Sequence, residues 1–138
     1  PIQMEGNFST AVRRLVDEFK KDSGISASLY CPDMREAAET ESSIEILQII
    51  REALNNVQKH SKASRVSVSL EKSAGVLDIS VEDDGTGYPF AGAFDLDELE
   101  RLRIGPQSIQ RRVRQLGGEL IVDSQPGRGA AVKVRIPA

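Results

Sequence analysis

Apolar and polar positions follow two rhythms along this chain. In "STAVRRLVDEFKKDSG", Val12, Leu15, Val16 and Phe19 recur at helical spacing. Ser9 or Thr10 is placed to cap that helix, Lys20 and Lys21 suit its last turn, and Gly24 its stop. "ISASLYC" alternates and predicts a strand, and "CPDMREAAETES" is a polar connection. The helical rhythm then returns from about Ser43 to Ser61. "RVSVSLE" and "VLDISVE" switch to period two, and Ser73-Ala74-Gly75 between them predicts a hairpin. "YPFAGAFDLDELERLRI" keeps neither rhythm and reads as an irregular segment, long enough for a lid or a binding loop. A helix follows in "GPQSIQRRVRQLGG", ended by its glycines; "ELIVDS" and "AAVKVRI" flank the turn "QPGRG" as a second hairpin. Helices interspersed with hairpin-linked strands predict an α+β fold, a two-layer α/β sandwich whose mixed sheet is covered on one face by helices.

Composition narrows the function classes. The 138 residues suit one domain, taken as 1–138, with one core. With 39% hydrophobic and 28% charged residues the chain has the make-up of a soluble globular domain. A net charge of −3 gives no reason to expect unspecific attraction to nucleic acid or to anionic lipid. The run "RRVR", Arg111 to Arg114, therefore reads as a solvated helix face. The single Cys31 excludes an internal disulfide framework and a cysteine-based zinc site; a buried small hydrophobe in a reducing, cytoplasmic compartment is expected. No apolar run approaches the ~18 residues of a membrane span. The abrupt opening "PIQMEGNFS" leads to the expectation of a domain cut from something longer.

Two stretches carry candidate chemistry. In "EILQIIREALNNVQKHS", Leu47, Ile50, Leu54 and Val57 share one helix face at ~100° per residue, and Glu52, Asn55, Asn56 and Lys59 the opposite one. That opposite face reads either as a solvated stripe or as a site. Adjacent asparagines weaken the first reading, because Asn competes for backbone hydrogen bonds and is a poor helix former. Glu52 and Asn56, one turn apart, set a carboxylate beside a neutral amide oxygen, which suits a hard cation such as Mg²⁺. The second stretch is "VEDDGTGYP". Gly85 and Gly87 invite a phosphate reading, but Glu82, Asp83 and Asp84 repel phosphate and no lysine follows in the Walker pattern. Read alone, the loop is a turn with an acid and two convenient glycines.

Together these stretches carry more. A Glu-x-x-x-Asn helix, an Asp-x-Gly-x-Gly strand end, a long lid, a Gly-initiated helix and a Gly-x-Gly turn follow one another. That order resembles the Bergerat-type ATP-binding domain shared by histidine kinases, gyrase, HSP90 and MutL (GHKL). More narrowly, "REALNNVQKHSKAS", "VEDDGTGYP", "GPQSIQRRVRQLGGEL" and "PGRGAAVKVRIP" look like the catalytic ATPase domain of two-component sensor kinases of the nitrate-sensor type. The resemblance implies ATP and Mg²⁺ as cofactors. It makes Asn56 the Mg²⁺ ligand, Glu52 the neighbouring catalytic carboxylate, and Lys59 a residue facing the phosphates. It makes Asp83 the acid that accepts a hydrogen bond from the adenine amino group, with Gly85 and Gly87 allowing close approach. Gly105 would bring a helix N-terminus to the phosphates, and Gly127 and Gly129 would pack near the base beneath the lid.

The resemblance also implies partners. The only histidine, His60, sits inside the first motif near a helix end, so the phosphoacceptor histidine is expected on a separate dimerisation and phosphotransfer domain of the same parent kinase. A response regulator would follow indirectly. The domain itself is expected to be monomeric, without nucleic acid or direct membrane contact, whether or not the parent is membrane-anchored. Three positions depart from the pattern: Pro106 stands where Leu is preferred, Arg111 where an acid is usual, and Ala130 where Thr is common. Pro106 and Ala130 leave room for a degenerate nucleotide-binding module without turnover. An anti-sigma-factor-like serine kinase shares the first two motifs and is the enzyme alternative.

Overall fold

The computed structural model describes residues 7–32 and 41–137, so most of the "CPDMREAAETES" connection lies outside the described residues. Helix α1 (Phe8–Ser23) starts earlier than Ser9 or Thr10 would place it. Asn7 is the cap: its extended backbone lets Oδ1 accept the Thr10 N–H at 2.8 Å. Ser9 lies within the first turn, buried, and its hydroxyl donates to the Pro32 carbonyl. Gly24, at φ 71°, stops the helix in the left-handed conformation.

The chain continues through β1 (Ser26–Tyr30), α2 (Glu41–Asn56), a π-helical turn (Val57–Ser61), β2 (Arg65–Ser73) and β3 (Val76–Asp83). It finishes with β4 (Gly92–Asp95), α3 (Leu96–Leu102), α4 (Gln107–Gln115), β5 (Glu119–Gln125) and β6 (Gly129–Pro137). The six strands form one sheet in the order β1-β2-β3-β6-β5-β4. Only β1 and β2 run parallel, and a parallel pair needs a crossover, which α2 supplies.

Period-two alternation sorts the sheet into two faces. Val66, Val68, Leu70, Leu77, Ile79, Val81, Leu120, Val122 and Val134 are buried beneath the helices. Arg65, Ser67, Glu71, Glu82, Lys133 and Arg135 are exposed on the far side. The helices answer with Phe8, Val12, Val16, Leu47, Ile50, Leu99, Ile109 and Val113, all buried. Cys31 is buried in the same core. This is the one-face-covered α+β sandwich that the hydrophobic rhythm predicts.

The segment expected to be irregular contains β4 and α3. At four and seven residues these elements are too short for a periodic signal. Local chemistry builds α3 instead. Asp95 Oδ1 accepts the Glu98 N–H at 2.9 Å and Glu98 Oε1 accepts the Asp95 N–H at 3.0 Å, a complete capping box, while Leu96 and Leu99 face the core.

In the first hairpin Ser73 pairs with Val76, so the turn is Ala74-Gly75 alone. Both lie at positive φ, 50° and 75°, as a two-residue turn that matches the strand twist demands. Alanine is strained there by roughly 1 kcal/mol. Ala74→Gly or Ala74→Asn should therefore raise stability by about 0.5–1 kcal/mol. Urea unfolding checks this; a lower midpoint for both variants would contradict the turn geometry.

Candidate functional site

Beyond Asn56 the helix widens into a π-helical turn, a geometry that recurs at functional sites. The Ser61 hydroxyl donates back to the Val57 carbonyl at 2.7 Å, and Lys62 leaves the turn at φ 53°. The Ser61 carbonyl accepts the N–H of Thr86, in the middle of the glycine loop, at 2.6 Å. The Thr86 hydroxyl donates to the His60 carbonyl at 3.3 Å. At Gly85 a Cβ would collide with the Ser61 carbonyl. Only glycine lets the loop lie this close to the helix end.

The three acids of the loop have three fates. Glu82 is exposed on the open face of the sheet. Asp84 clamps the chain after the π turn, accepting the Ser64 hydroxyl at 2.6 Å and the Ser64 and Arg65 N–H groups at 2.8 and 2.9 Å. The Ser64 hydroxyl above all, then the two amides, pulls the Asp84 carboxyl down to about 2. Asp83 accepts the Gly85 N–H at 2.8 Å. Burial pushes its carboxyl up; the Gly85 and Ala130 amides oppose this, and the charge of Asp84 adds to it.

The later glycines close the loop from the other side. The Gly127 N–H donates to the Thr86 carbonyl at 2.9 Å, and Gly129, at φ 123°, lies directly against the backbone of Asp83 and Asp84. Ser124, wholly buried, accepts the Tyr88 N–H at 2.8 Å and donates to the Tyr88 carbonyl at 3.2 Å.

These contacts frame a cavity of about 450 Å³. Asn56, Asp83 and Tyr88 bring polar groups to it, Ala53, Val81 and Val132 contribute an apolar surface, and Gly105 with Pro106 brings the start of α4. An apolar cleft with a few convergent polar groups is the usual form of a cofactor pocket. A larger concavity, about 820 Å³, lies chiefly over the open sheet face among Ser69, Glu71, Asp78, Lys133 and Arg135. None of Glu52, Asn56, Lys59, Asp83, Gly85, Gly87, Gly105, Gly127 and Gly129 lines it, and Arg135 Nε already donates to Asp78 at 2.8 Å, so the smaller cavity is the candidate site.

Of the residues singled out in the sequence, Asn56, Asp83, Gly87 and Gly105 meet in this cavity. Gly85 and Gly129 are close-approach positions in the loop's support, and Gly127 stands behind them, tied to Thr86. The polar residues expected on one helix face differ in exposure. Asn55 and Lys59 are exposed, whereas Glu52 and Asn56 are half-buried. Glu52 turns toward α4: Arg112 donates from Nε to Glu52 Oε1 and from a terminal nitrogen to Glu45 Oε2, both at 2.8 Å. Glu52 Oε2 is buried without a hydrogen-bond partner among the described residues. "RRVR" is thus only partly a solvated face, since Arg112 faces inward and the exposed Arg114 pairs with Asp97 and Glu100.

Sequence reading missed Thr86, Asp84, Ser124 and Arg112. Only Ser124 left a signal, a polar residue at the core-facing parity of Leu120 and Val122. Among the described residues no group of three or more His, Cys, Asp or Glu could hold a metal ion. The available donors are oxygens, the Asn56 amide at the cavity and the unpartnered Glu52 Oε2. That set fits Mg²⁺, which takes one or two protein oxygens and fills its other positions with substrate phosphates and water.

The profile of the family described as histidine kinase-, DNA gyrase B-, and HSP90-like ATPase matches residues 41–138. The chain belongs to this family. It is 31% identical over 138 residues to the sensor histidine kinase LiaS of Bacillus subtilis, covering 99% of the chain and 36% of LiaS. It is 29% identical over 134 residues to the sensor protein NarQ homolog of Haemophilus influenzae, covering 96% of the chain and 23% of that protein. The likeness to nitrate-sensor-type kinases rests on a further match, 27% identical over 131 residues, to the nitrate/nitrite sensor protein NarQ of Escherichia coli, covering 94% of the chain and 22% of that protein. The chain thus spans about a third or less of these curated relatives. The histidine kinase domain of the blue-light activated histidine kinase EL346 of Erythrobacter litoralis shares the fold. Its TM-score is 0.76 at 20% identity, over 99% of this chain and 70% of that one. The domain is a histidine-kinase-type ATPase domain.

Asp84 provides a test of the loop's anchoring. Its carboxyl is depressed in the fold, so its stabilisation is complete above the unfolded value of about 4 and is lost as pH falls toward 2. The stability advantage of the wild type over Asp84→Asn should be level above about pH 5 and shrink between 4 and 2. Urea midpoints across this range measure it; a constant difference would contradict the clamp.

Proposed function

We propose that this domain binds Mg-ATP in the cavity between the end of α2, the glycine loop and the start of α4. It donates the γ-phosphoryl group to a histidine on a separate dimerisation domain of its parent kinase, in two-component signalling. The supporting observation is that Asn56 and Asp83, brought by a helix and by a strand end, face one cavity. The Asp83 carboxylate accepts a hydrogen bond from the adenine amino group, where guanine presents a carbonyl and offers no donor. Gly85, Gly87 and Gly129 keep side chains out of the loop and its support so that Asp83 can reach the base. Gly105 places the start of α4 at the phosphates, and Lys59, exposed at the helix end, faces them as a point charge.

Asn56 Oδ1 would hold Mg²⁺, with Glu52 Oε2 next along the helix; when bound, the ion supplies neutralisation of the phosphate charge. Transfer breaks the bond between the γ-phosphorus and the β-bridging oxygen as an imidazole nitrogen takes the phosphoryl group and ADP leaves. The protein's share of this chemistry is positioning. A neutral imidazole needs little help from a base, and no base is assigned to the step. Afterwards the phosphoryl group passes to a response regulator. One observation favours a second reading, nucleotide-dependent regulation of a partner without turnover: Glu52 is tied to Arg112 and does not line the cavity. ATP binding without transfer to a supplied histidine domain would select it.

Calorimetric titration should show ATP binding strengthened by Mg²⁺, and none for GTP. Asp83→Asn should weaken ATP binding about ten- to a hundredfold, the loss of a charge-assisted hydrogen bond of about 1.5–3 kcal/mol. Asn56→Ala should reduce the Mg²⁺ dependence. Unchanged binding in both variants would refute the site.

A further inference from the structure

We propose that Tyr88, which lines the nucleotide cleft with Asn56 and Asp83, is a specificity residue: its hydroxyl hydrogen-bonds a hydroxyl of the bound nucleotide's sugar and disfavours nucleotides that lack it. The inference rests on the reading of this cavity as an adenine-nucleotide site.

Tyr88 is held from two sides. Ser124 takes its N–H at 2.8 Å and donates to its carbonyl at 3.2 Å, so the backbone is fixed. Its ring stacks on Phe90 with centroids 5.5 Å apart and planes 16° from parallel, and Phe90 meets Phe94 edge-on at 5.2 Å. Tyr88 nevertheless lines the cavity with Asn56 and Asp83. An ordinary phenol is protonated at neutral pH, so the Tyr88 hydroxyl can donate.

A phenol both donates and accepts. If the base sits at Asp83 and the phosphates at Asn56, the part of the nucleotide between them is the sugar. Phenylalanine would supply the same ring stacking, so the hydroxyl is the only thing tyrosine adds. Sugar hydroxyls match it as donors and acceptors. A sugar lacking the contacted hydroxyl leaves the phenol proton unpaired in a buried place, which costs binding.

The test titrates wild type and Tyr88→Phe with ATP, 2′-deoxy-ATP and 3′-deoxy-ATP in the presence of Mg²⁺. The wild type should bind ATP about three- to tenfold tighter than at least one deoxy form, the loss expected for one hydrogen bond between neutral groups. Tyr88→Phe should bind all three alike, with ATP weakened by a similar factor and the melting curve unchanged. Equal binding of the three nucleotides by the wild type overturns the proposal without involving any variant. Tighter ATP binding by Tyr88→Phe also overturns it, because the phenol then obstructs the cleft. If the wild type bound no adenine nucleotide, the site reading itself would fail, and this proposal with it.

Discussion

The carbonyl of Ser61 is where the two halves of the site meet. It accepts the Thr86 N–H at 2.6 Å and lies where a side chain on Gly85 would have to be. Asn56 comes from a helix and Asp83 from a strand that is not adjacent in the chain, and nothing in their own elements brings them to one cavity. The π-helical turn does this by setting the last carbonyls of the helix toward the loop. Asp84 repeats the fixation on the next residues of the chain through Ser64 and Arg65. The cavity is therefore preorganised by backbone contacts, which leaves its polar side chains available to a ligand.

Charge is distributed to serve the same end. Glycine-rich loops that hold phosphates use their amides; here the amides of Thr86, Gly127 and Tyr88 are engaged within the fold. An acid, Asp83, carries the charge at the cavity instead. The burial that raises the Asp83 carboxyl also strengthens any hydrogen bond it accepts, because the local dielectric is low. Arg112 ties α4 to Glu45 and Glu52, so the helix whose start reaches the cavity is linked to the helix that carries Asn56.

Much of this was legible in the chain. The hydrophobic rhythm placed α1, α2, α4 and both hairpins, and the covered face of the sheet followed from the alternation of Val66, Val68 and Leu70. The order of the glycine motifs pointed to the residues that meet in the cavity. Short elements escaped because seven residues give no periodic signal, although the Asp95-Leu96-Asp97-Glu98 capping box was written in the sequence. The separate fates of Asp83 and Asp84 were invisible, since they depend on Ser64, twenty residues away. The orientation of Glu52 depends on Arg112, sixty residues away, and no local pattern reports it.

The most direct measurement is amide NMR of the nitrogen-labelled domain with and without Mg²⁺ and a non-hydrolysable ATP analogue. The backbone signals of Gly85, Gly87 and Gly105 and the side-chain amide of Asn56 should shift most. Shifts clustered on the open sheet face around Glu71, Asp78 and Lys133, with the glycine loop unmoved, would contradict the placement of the nucleotide.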